Sequence, residues 1–400
     1  MGGGSHLASK DIIEQKLVQA SEALKAMDAD LWITFVQETS AGAERAFAYI
    51  SPGNFTWEST VLVTRQGKPS VICGRLDQQV FEDSGLYKEV LTFVQDFKEP
   101  FLAYLKALKP RRVAVNYSLN DHSADGITHG GFLYLESLLK EALPDVEIVS
   151  AEPIIGSLIS QKAPLELTAI QEAVDITVQI FQEICAFLKI GQTERQVYDF
   201  IGARMAERGL EPSFQTLVFA GDRGAGMGHG EATDNDIRPG DLVHVDMGVF
   251  VRGYASDMQR TWYALKPGED RAPEEARKGF QVIVDAVETC RAALKPGMKG
   301  VDIDAIARGM VTSAGFPEYP HGLGHQVGRH VHDGGAMLGP AWARYKNTPF
   351  MPIAEHQVFT LEPSLSVPGF GAVGVEEDTV VTPQGGRFLA PPQRELWYIK

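Results

Sequence analysis

Two segments in the C-terminal half of this 400-residue chain constrain its fold most strongly, because each predicts a β-hairpin with acidic residues on facing strands. In the first, the alternating runs 241–250 and 254–263 flank the turn 251–253. If the hairpin is centred between residues 251 and 252, Asp246 and Asp257 are directly opposed, with Cβ atoms roughly 4.5 to 5.5 Å apart. Like charges at that distance repel each other, so this hairpin predicts a cation between the two carboxylates.

The second hairpin repeats this arrangement near the C-terminus, where the runs 359–365 and 372–381 flank the segment 368–371. A centre between residues 369 and 370 places Glu362 opposite Glu377. Two opposed carboxylate pairs supply the four anionic oxygen ligands that two divalent ions require. The alternative is that these acids lie on exposed strand faces with salt-bridge partners, which suits a single pair better than two pairs within apolar runs.

A histidine cluster lies between the two hairpins. Half of the ten histidines fall between His321 and His356, and four of them lie within residues 321–333. Histidine nitrogen favours a transition ion over magnesium, so one histidine ligand beside four carboxylates predicts selectivity for Mn, Co or Zn. The intervening glycines allow the backbone to approach a ligand closely. The cluster therefore predicts a metal or substrate site rather than structural histidines.

The pattern of the remaining residues predicts two domains. In residues 7–158, β-rich runs alternate with helical stretches, which indicates an α/β domain. In residues 159–400, several helices lie among strands, which indicates an α+β domain, and Thr193 with Gln196 forms a capping box at the start of one helix. The predicted strands of the first domain are 31–36, 60–64, 70–73 and 112–115, and the predicted helices of the second are 166–188, 193–209, 273–294 and 301–314.

Composition excludes several classes of protein. The 37 basic and 52 acidic residues give a net charge of -15, which repels phosphate backbones and argues against nucleic-acid binding. The three cysteines lack paired spacing and predict neither a disulfide framework nor a thiolate zinc site. No apolar run approaches the ~18 residues that span a bilayer, and no secretory pattern precedes the first helix. We therefore expect a cytoplasmic protein that binds neither nucleic acid nor membranes.

The order of the motifs resembles that of the pita-bread metallopeptidase family, which includes methionine aminopeptidase, Xaa-Pro aminopeptidase, prolidase and the metal-free creatinase. The matching motifs are Asp246 with Asp257 eleven residues later, then GHQVG, TLEP and EEDT, and they lie in order within residues 160–400. The first domain resembles the creatinase-type N-terminal domain of the family's proline-specific branch. The resemblance implies five metal ligands, with Asp257 and Glu377 bridging two ions: Asp246, Asp257, His325, Glu362 and Glu377.

The same resemblance implies roles for further residues. Three histidines match those that contact substrate or stabilise the tetrahedral intermediate: His229, His321 and His332. Glu362 is implied to carry a proton to the leaving imino nitrogen as well as to bind metal. His244 and His330 match no role in the family.

Two departures from the family pattern concern the same region. Proline-specific members usually carry an arginine two residues before the final ligand, where this chain has Val375. Losing that arginine removes a fixed positive charge beside the metals, which leaves metal affinity and substrate preference open. The glutamate that usually follows the catalytic histidine is replaced by Asp333.

The function implied by the resemblance is hydrolysis of Xaa-Pro peptide bonds in small peptides by a metal-bridging hydroxide, as in prolidase or Xaa-Pro aminopeptidase. The implied cofactors are two divalent ions, Mn, Co or Zn, and the implied assembly is a homodimer. Two alternatives are a creatinase-like hydrolase without metal and a non-catalytic peptide-binding protein on the same scaffold. The five filled ligand positions argue against both, whereas the choice between dipeptides and longer peptides stays open.

Overall fold

The computed structural model of the protein describes residues 8–39, 44–66, 69–226 and 230–400. The chain divides into two compact units after Ile159, one residue beyond the boundary expected from the sequence. The helix Glu152–Ser160 ends at this division.

The first unit is an α/β domain built on a mixed six-stranded sheet. The strand Leu31–Val36, in the middle of this sheet, is buried along its whole length. This burial explains why all of its residues except Thr34 are apolar. Two of the helices pack on one face of the sheet, where Phe35, Phe101 and Leu139 belong to one core cluster. The strands are β1 (Leu31–Val36), β2 (Ser59–Thr64), β3 (Ser70–Gly74), β4 (Glu89–Phe93), β5 (Arg112–Val115) and β6 (Glu147–Ser150), in the order β4-β3-β2-β1-β5-β6. The helices are α1 (Lys10–Ala26), α2 (Phe47–Ile50), α3 (Gln78–Ser84), α4 (Lys98–Leu108), α5 (His129–Ala142) and α6 (Glu152–Ser160).

The second unit contains four longer helices around its sheets. They are α7 (Pro164–Phe187), α8 (Glu194–Glu207), α9 (Glu274–Ala293) and α10 (Gly300–Ser313). The predicted capping box of α8 is confirmed. The backbone N–H of Gln196 donates to the Thr193 hydroxyl at 3.2 Å, and the backbone N–H of Thr193 donates to the side-chain oxygen of Gln196 at 3.0 Å. Within the part of the chain that the structure describes, no helix has both the length and the apolar character needed to span a bilayer.

The sheets of the second unit hold the acidic segments. Its strands are β7 (Leu217–Ala220), β8 (Leu242–Met247), β9 (Phe250–Val251), β10 (Tyr254–Ala255), β11 (Met258–Ala264), β12 (Val358–Phe359), β13 (Ser364–Val367), β14 (Gly371–Gly374), β15 (Thr379–Thr382), β16 (Gly385–Phe388) and β17 (Trp397–Ile399). They form the sheets β17-β11-β8-β7 and β12-β15-β16 and the pairs β9-β10 and β13-β14. With α7 to α10, they make the α+β domain expected from the sequence.

The first acidic hairpin forms, but its centre lies one residue further along the chain than predicted, so the partner of each residue changes by two positions. Arg252 and Gly253 have φ values of 50° and 76°, so they occupy a two-residue turn with both central residues left-handed. This turn centres the hairpin between them and places Gln259, not Asp257, opposite Asp246. Asp257 lies two residues before Gln259 and is therefore a diagonal neighbour of Asp246 on the same face.

The second acidic hairpin also differs from the predicted register. Ser364 pairs with Gly374, which centres the hairpin on Gly369 rather than between residues 369 and 370. The same register continues past the strands, where Leu361 and Glu377 exchange backbone hydrogen bonds of 3.2 and 3.3 Å. Glu362 therefore faces Glu376, and the predicted pairing of Glu362 with Glu377 is wrong.

Candidate metal centre

A cavity of about 340 Å³ in the second unit brings the candidate residues together. Phe214, Leu217 and Phe219 add an apolar side to its wall. Most of the residues implied by the resemblance line it: Asp246, Asp257, His321, His325, His332 and Glu362. His229 lies outside the described residues.

The ligand atoms of Asp257, His325 and Glu376 all lie within 4.8 Å of one another. His325 Nε2 is 3.5 Å from Asp257 Oδ2 and 3.4 Å from Glu362 Oε1. Asp246 lies beside this group, because Gln259 Nε2 is 3.4 Å from Asp246 Oδ2 and 3.5 Å from Glu362 Oε2. The two hairpins and the histidine segment thus contribute one imidazole and four carboxyl groups to one place.

Glu377, the fifth ligand expected from the sequence, is not part of this group. Its carboxylate accepts a hydrogen bond of 3.0 Å from the Arg260 guanidinium and one of 3.0 Å from the backbone N–H of Gln393. The neighbouring Glu376 takes its place, because a one-residue change of register moves a side chain to the opposite face of a strand. The expectation for Glu377 is therefore corrected to Glu376.

Sequence reasoning missed Glu376 because the motif contains two adjacent glutamates and only the hairpin register distinguishes them. The signal in the sequence was the glycine in the segment between Val367 and Gly371. In the structure this segment closes as a three-residue loop. Gly369 at its centre has φ 78°, a conformation in which glycine is favoured. Centring the hairpin on that glycine selects Glu376.

The electrostatics of the group fit a bound cation. Burial raises the pKa of Asp246 to about 7. Burial, and then the neighbouring carboxylates, hold the pKa values of Asp257, Glu362 and Glu376 well above their usual range. Burial also lowers the pKa of His325 to about 3, so its imidazole is neutral and able to bind metal.

Unpartnered oxygens support the same conclusion. Neither carboxylate oxygen of Glu376 has a hydrogen-bond partner among the described residues, although the side chain is only 1% exposed. Asp246 Oδ1 is likewise buried without a partner there. Buried carboxylates without donors are costly unless a cation compensates them, and this combination of nitrogen and oxygen donors suits a divalent transition ion. The residues present therefore fit a metal centre.

Two further histidines line the cavity next to this group. His321 Nδ1 lies 2.8 Å from the Gly322 carbonyl oxygen and must donate to it, so Nε2 accepts from the Ser364 hydroxyl at 2.8 Å. The ring of His332 packs edge-on against that of His325, with centroids 4.2 Å apart and planes at 81°. Both imidazoles are thus held in place beside the candidate ligands.

His244, which matched no role in the sequence, also lines the cavity. Its side chain is buried, and burial lowers its pKa to about 4. Its Nδ1 has no hydrogen-bond partner among the described residues. The alternation of β8 places His244 on the same side of the strand as Asp246, which is the signal that could have found it.

The structure shows the surroundings of the two residues that depart from the family pattern, Val375 and Asp333. With Glu376 in the group, the residue two positions before it is Gly374, and Val375 is a buried core residue. A Cβ atom on Gly374 would lie 2.6 Å from Gln259 Oε1 and 2.7 Å from His244 Cε1, so these side chains fill the space that a side chain at 374 would need. Asp333 is buried and accepts a hydrogen bond of 2.7 Å from Lys162 Nζ.

Known proteins share this fold and these motifs. Residues 168–383 match the model of Metallopeptidase family M24. An Xaa-Pro dipeptidase of Pyrococcus furiosus is 30% identical over 252 residues, which cover 62% of this chain and 68% of that protein. Among solved structures, a prolidase from Pyrococcus horikoshii has a TM-score of 0.68 at 25% identity, covering 96% of this chain and 99% of that one. An X-Pro aminopeptidase from Thermotoga maritima has a TM-score of 0.72 at 22% identity, covering 94% and 100%.

The match covers more than half of the chain and includes every residue of the corrected metal group. The solved structures resemble the chain along nearly its whole length, so the likeness extends to the α/β unit before the catalytic domain. The chain therefore belongs to metallopeptidase family M24 and consists of an α/β N-terminal domain followed by a pita-bread catalytic domain.

Proposed function

We propose that this metallopeptidase hydrolyses the bond between an N-terminal residue and a following proline, in dipeptides or longer peptides. The observation that carries the proposal is the convergence of Asp246, Asp257, His325, Glu362 and Glu376 on one cavity, with buried carboxylate oxygens that lack donors. The substrate class is supported by the names of the relatives, which include an Xaa-Pro dipeptidase and a prolidase.

The proposed cofactors are two divalent ions, Mn, Co or Zn, which these five residues would hold. When bound, the ions polarise the scissile carbonyl and lower the pKa of the attacking water. The single imidazole of His325 adds the nitrogen ligand that favours transition ions over magnesium.

The remaining roles belong to side chains of the cavity. Glu362 carries the proton to the leaving imino nitrogen, and the Thr360 hydroxyl, 3.4 Å from Glu362 Oε1, orients its carboxyl group. His332 hydrogen-bonds the substrate on the side of the cavity next to His325, and His321 contacts the substrate once it displaces the Ser364 hydroxyl from Nε2. We assign the same kind of contact to His229.

Metal removal tests the function directly. We expect exhaustive chelation to abolish hydrolysis of Ala-Pro and Mn, Co or Zn to restore it, because without cations nothing polarises the scissile carbonyl or lowers the pKa of the attacking water. Elemental analysis of the purified protein and a peptidase assay on Ala-Pro and a longer Xaa-Pro peptide measure both properties. Full activity after chelation would instead support a metal-free hydrolase, and bound metal without peptidase activity would support a binding protein.

A homodimer is the assembly we propose. Within the described residues, the first unit contributes nothing to the cavity, and it resembles the domain that pairs subunits in the proline-specific enzymes. Closed two-fold pairing is the commonest form of homo-oligomer. We expect light scattering at micromolar concentration to give twice the 43.7 kDa mass of the chain. The monomer mass would contradict this proposal without affecting the metal centre.

A further inference from the structure

Gln259 lies where the two acidic hairpins meet. It is opposite Asp246 in the pairing of β8 with β11. Its carbonyl oxygen accepts a hydrogen bond of 3.3 Å from the N–H of Glu376, in the second hairpin. Its backbone therefore connects one candidate ligand to the segment that carries another.

The side chain of Gln259 makes a second connection between the hairpins. Its amide nitrogen is 3.4 Å from Asp246 Oδ2 and 3.5 Å from Glu362 Oε2. Ionised carboxylates only accept hydrogen bonds, so the NH₂ group with its two donors is the end of the amide that suits this place. A neutral amide thus lies between two acidic groups and donates toward both.

Gly374 and His244 confine this amide. The imidazole of His244 occupies the neighbouring space, and Gln259 Oε1 would lie 2.6 Å from a Cβ atom on Gly374. Glycine at 374 therefore leaves the room that the amide needs. The side chain of Gln259 is 5% exposed, so it has little freedom to turn away from the carboxylates.

We propose that Gln259 is a positioning residue of the metal centre, which aligns Asp246 and Glu362 from separate hairpins so that they can bind a divalent ion together. This inference rests on the proposed metal centre but not on the proposed substrate. Partners that orient metal ligands typically change metal affinity by roughly 10- to 100-fold when they are removed.

The test is a calorimetric titration of the chelated, full-length protein with Mn²⁺ alone. We expect Gln259→Leu, which keeps the side-chain volume but removes both donors, to bind Mn²⁺ roughly 10- to 100-fold more weakly than the unmodified protein. Gly374→Ala should weaken binding in the same direction, because its Cβ displaces the amide while every ligand stays in the sequence. Gln215→Leu is the matched control, since Gln215 lines the same cavity and should keep its Mn²⁺ affinity.

Unchanged affinity in Gln259→Leu would overturn the inference, whatever the melting temperature of the metal-free variant. Weaker binding in Gly374→Ala alone would overturn it too, because the effect would not act through the amide. If the unmodified protein bound none of Mn²⁺, Co²⁺ and Zn²⁺ in the same titration, both this inference and the metal centre would be wrong. If it bound Mn²⁺ but did not cleave Xaa-Pro peptides, only the proposed function would fail.

Discussion

Glu376→Gln is expected to lose at least about 1,000-fold in kcat/KM on Ala-Pro and to bind less divalent metal than the unmodified protein. The amide has the size of the carboxylate but no charge, so it would hold a divalent cation much more weakly. Metal activation is worth several kcal/mol in the transition state, and about 4 kcal/mol corresponds to 1,000-fold in rate. Steady-state kinetics together with elemental analysis measure both effects.

Glu377→Gln is the matched control, at the next residue of the segment between β14 and β15. Glu377 is buried beside Arg260, with exposed side-chain fractions of 1% and 3%, so its neutralisation leaves a buried guanidinium without its anion. We expect a loss of roughly 3 to 5 kcal/mol in the free energy of unfolding with metal content retained. The opposite result, in which Glu377→Gln loses metal and Glu376→Gln keeps it, would contradict the hairpin register of the structure.

His332→Ala is expected to lower kcat on Ala-Pro by roughly 100- to 1,000-fold with a modest change in KM, because a donor to the developing oxyanion acts mainly in the transition state. Its ring contacts His325 but is not one of the five proposed ligands. The variant should therefore keep its metal. Measurements of kcat, KM, bound metal and melting temperature test this expectation.

His325→Ala provides the contrast to this variant. It removes the only nitrogen among the five proposed ligands, so metal and activity should be lost together. If both histidines were only packed against each other, each substitution would lower the melting temperature without a selective fall in kcat. A metal-replete and active His325→Ala would overturn the ligand assignment.

Much of the fold could be predicted from local patterns. The strands 31–36 and 112–115 coincide with β1 and β5, and the Thr193 capping box marks the start of α8 as expected. These features depend on residues close in sequence, such as alternating apolar side chains or a cap and its partner three residues on. Sheet order is different, because β1 lies between β2 and β5 through pairings of distant segments.

The chemistry of the site is also largely predictable from the sequence. The spacing of Asp246 and Asp257, the histidine cluster and Glu362 together indicate a metal centre. These residues meet in the cavity because each lies on or beside a strand or loop that the sequence pattern identifies. The alternation of its strand places His244 beside Asp246, whereas Gln259 is not recognisable as a neighbour of the site, since it belongs to no motif and only the pairing of β8 with β11 and the space at Gly374 bring it there.

The sequence by itself determined which residue types meet in this protein: four carboxyl groups, the imidazole of His325 and a set of neighbouring histidines. Only the tertiary structure decided which of two adjacent glutamates completes the group. The second hairpin is centred on Gly369, which turns Glu376 toward Asp257 and His325 and leaves Glu377 with Arg260. The physical reason is that side chains alternate between the two faces of a hairpin, so a shift of one residue in pairing exchanges a proposed metal ligand for a buried ion pair.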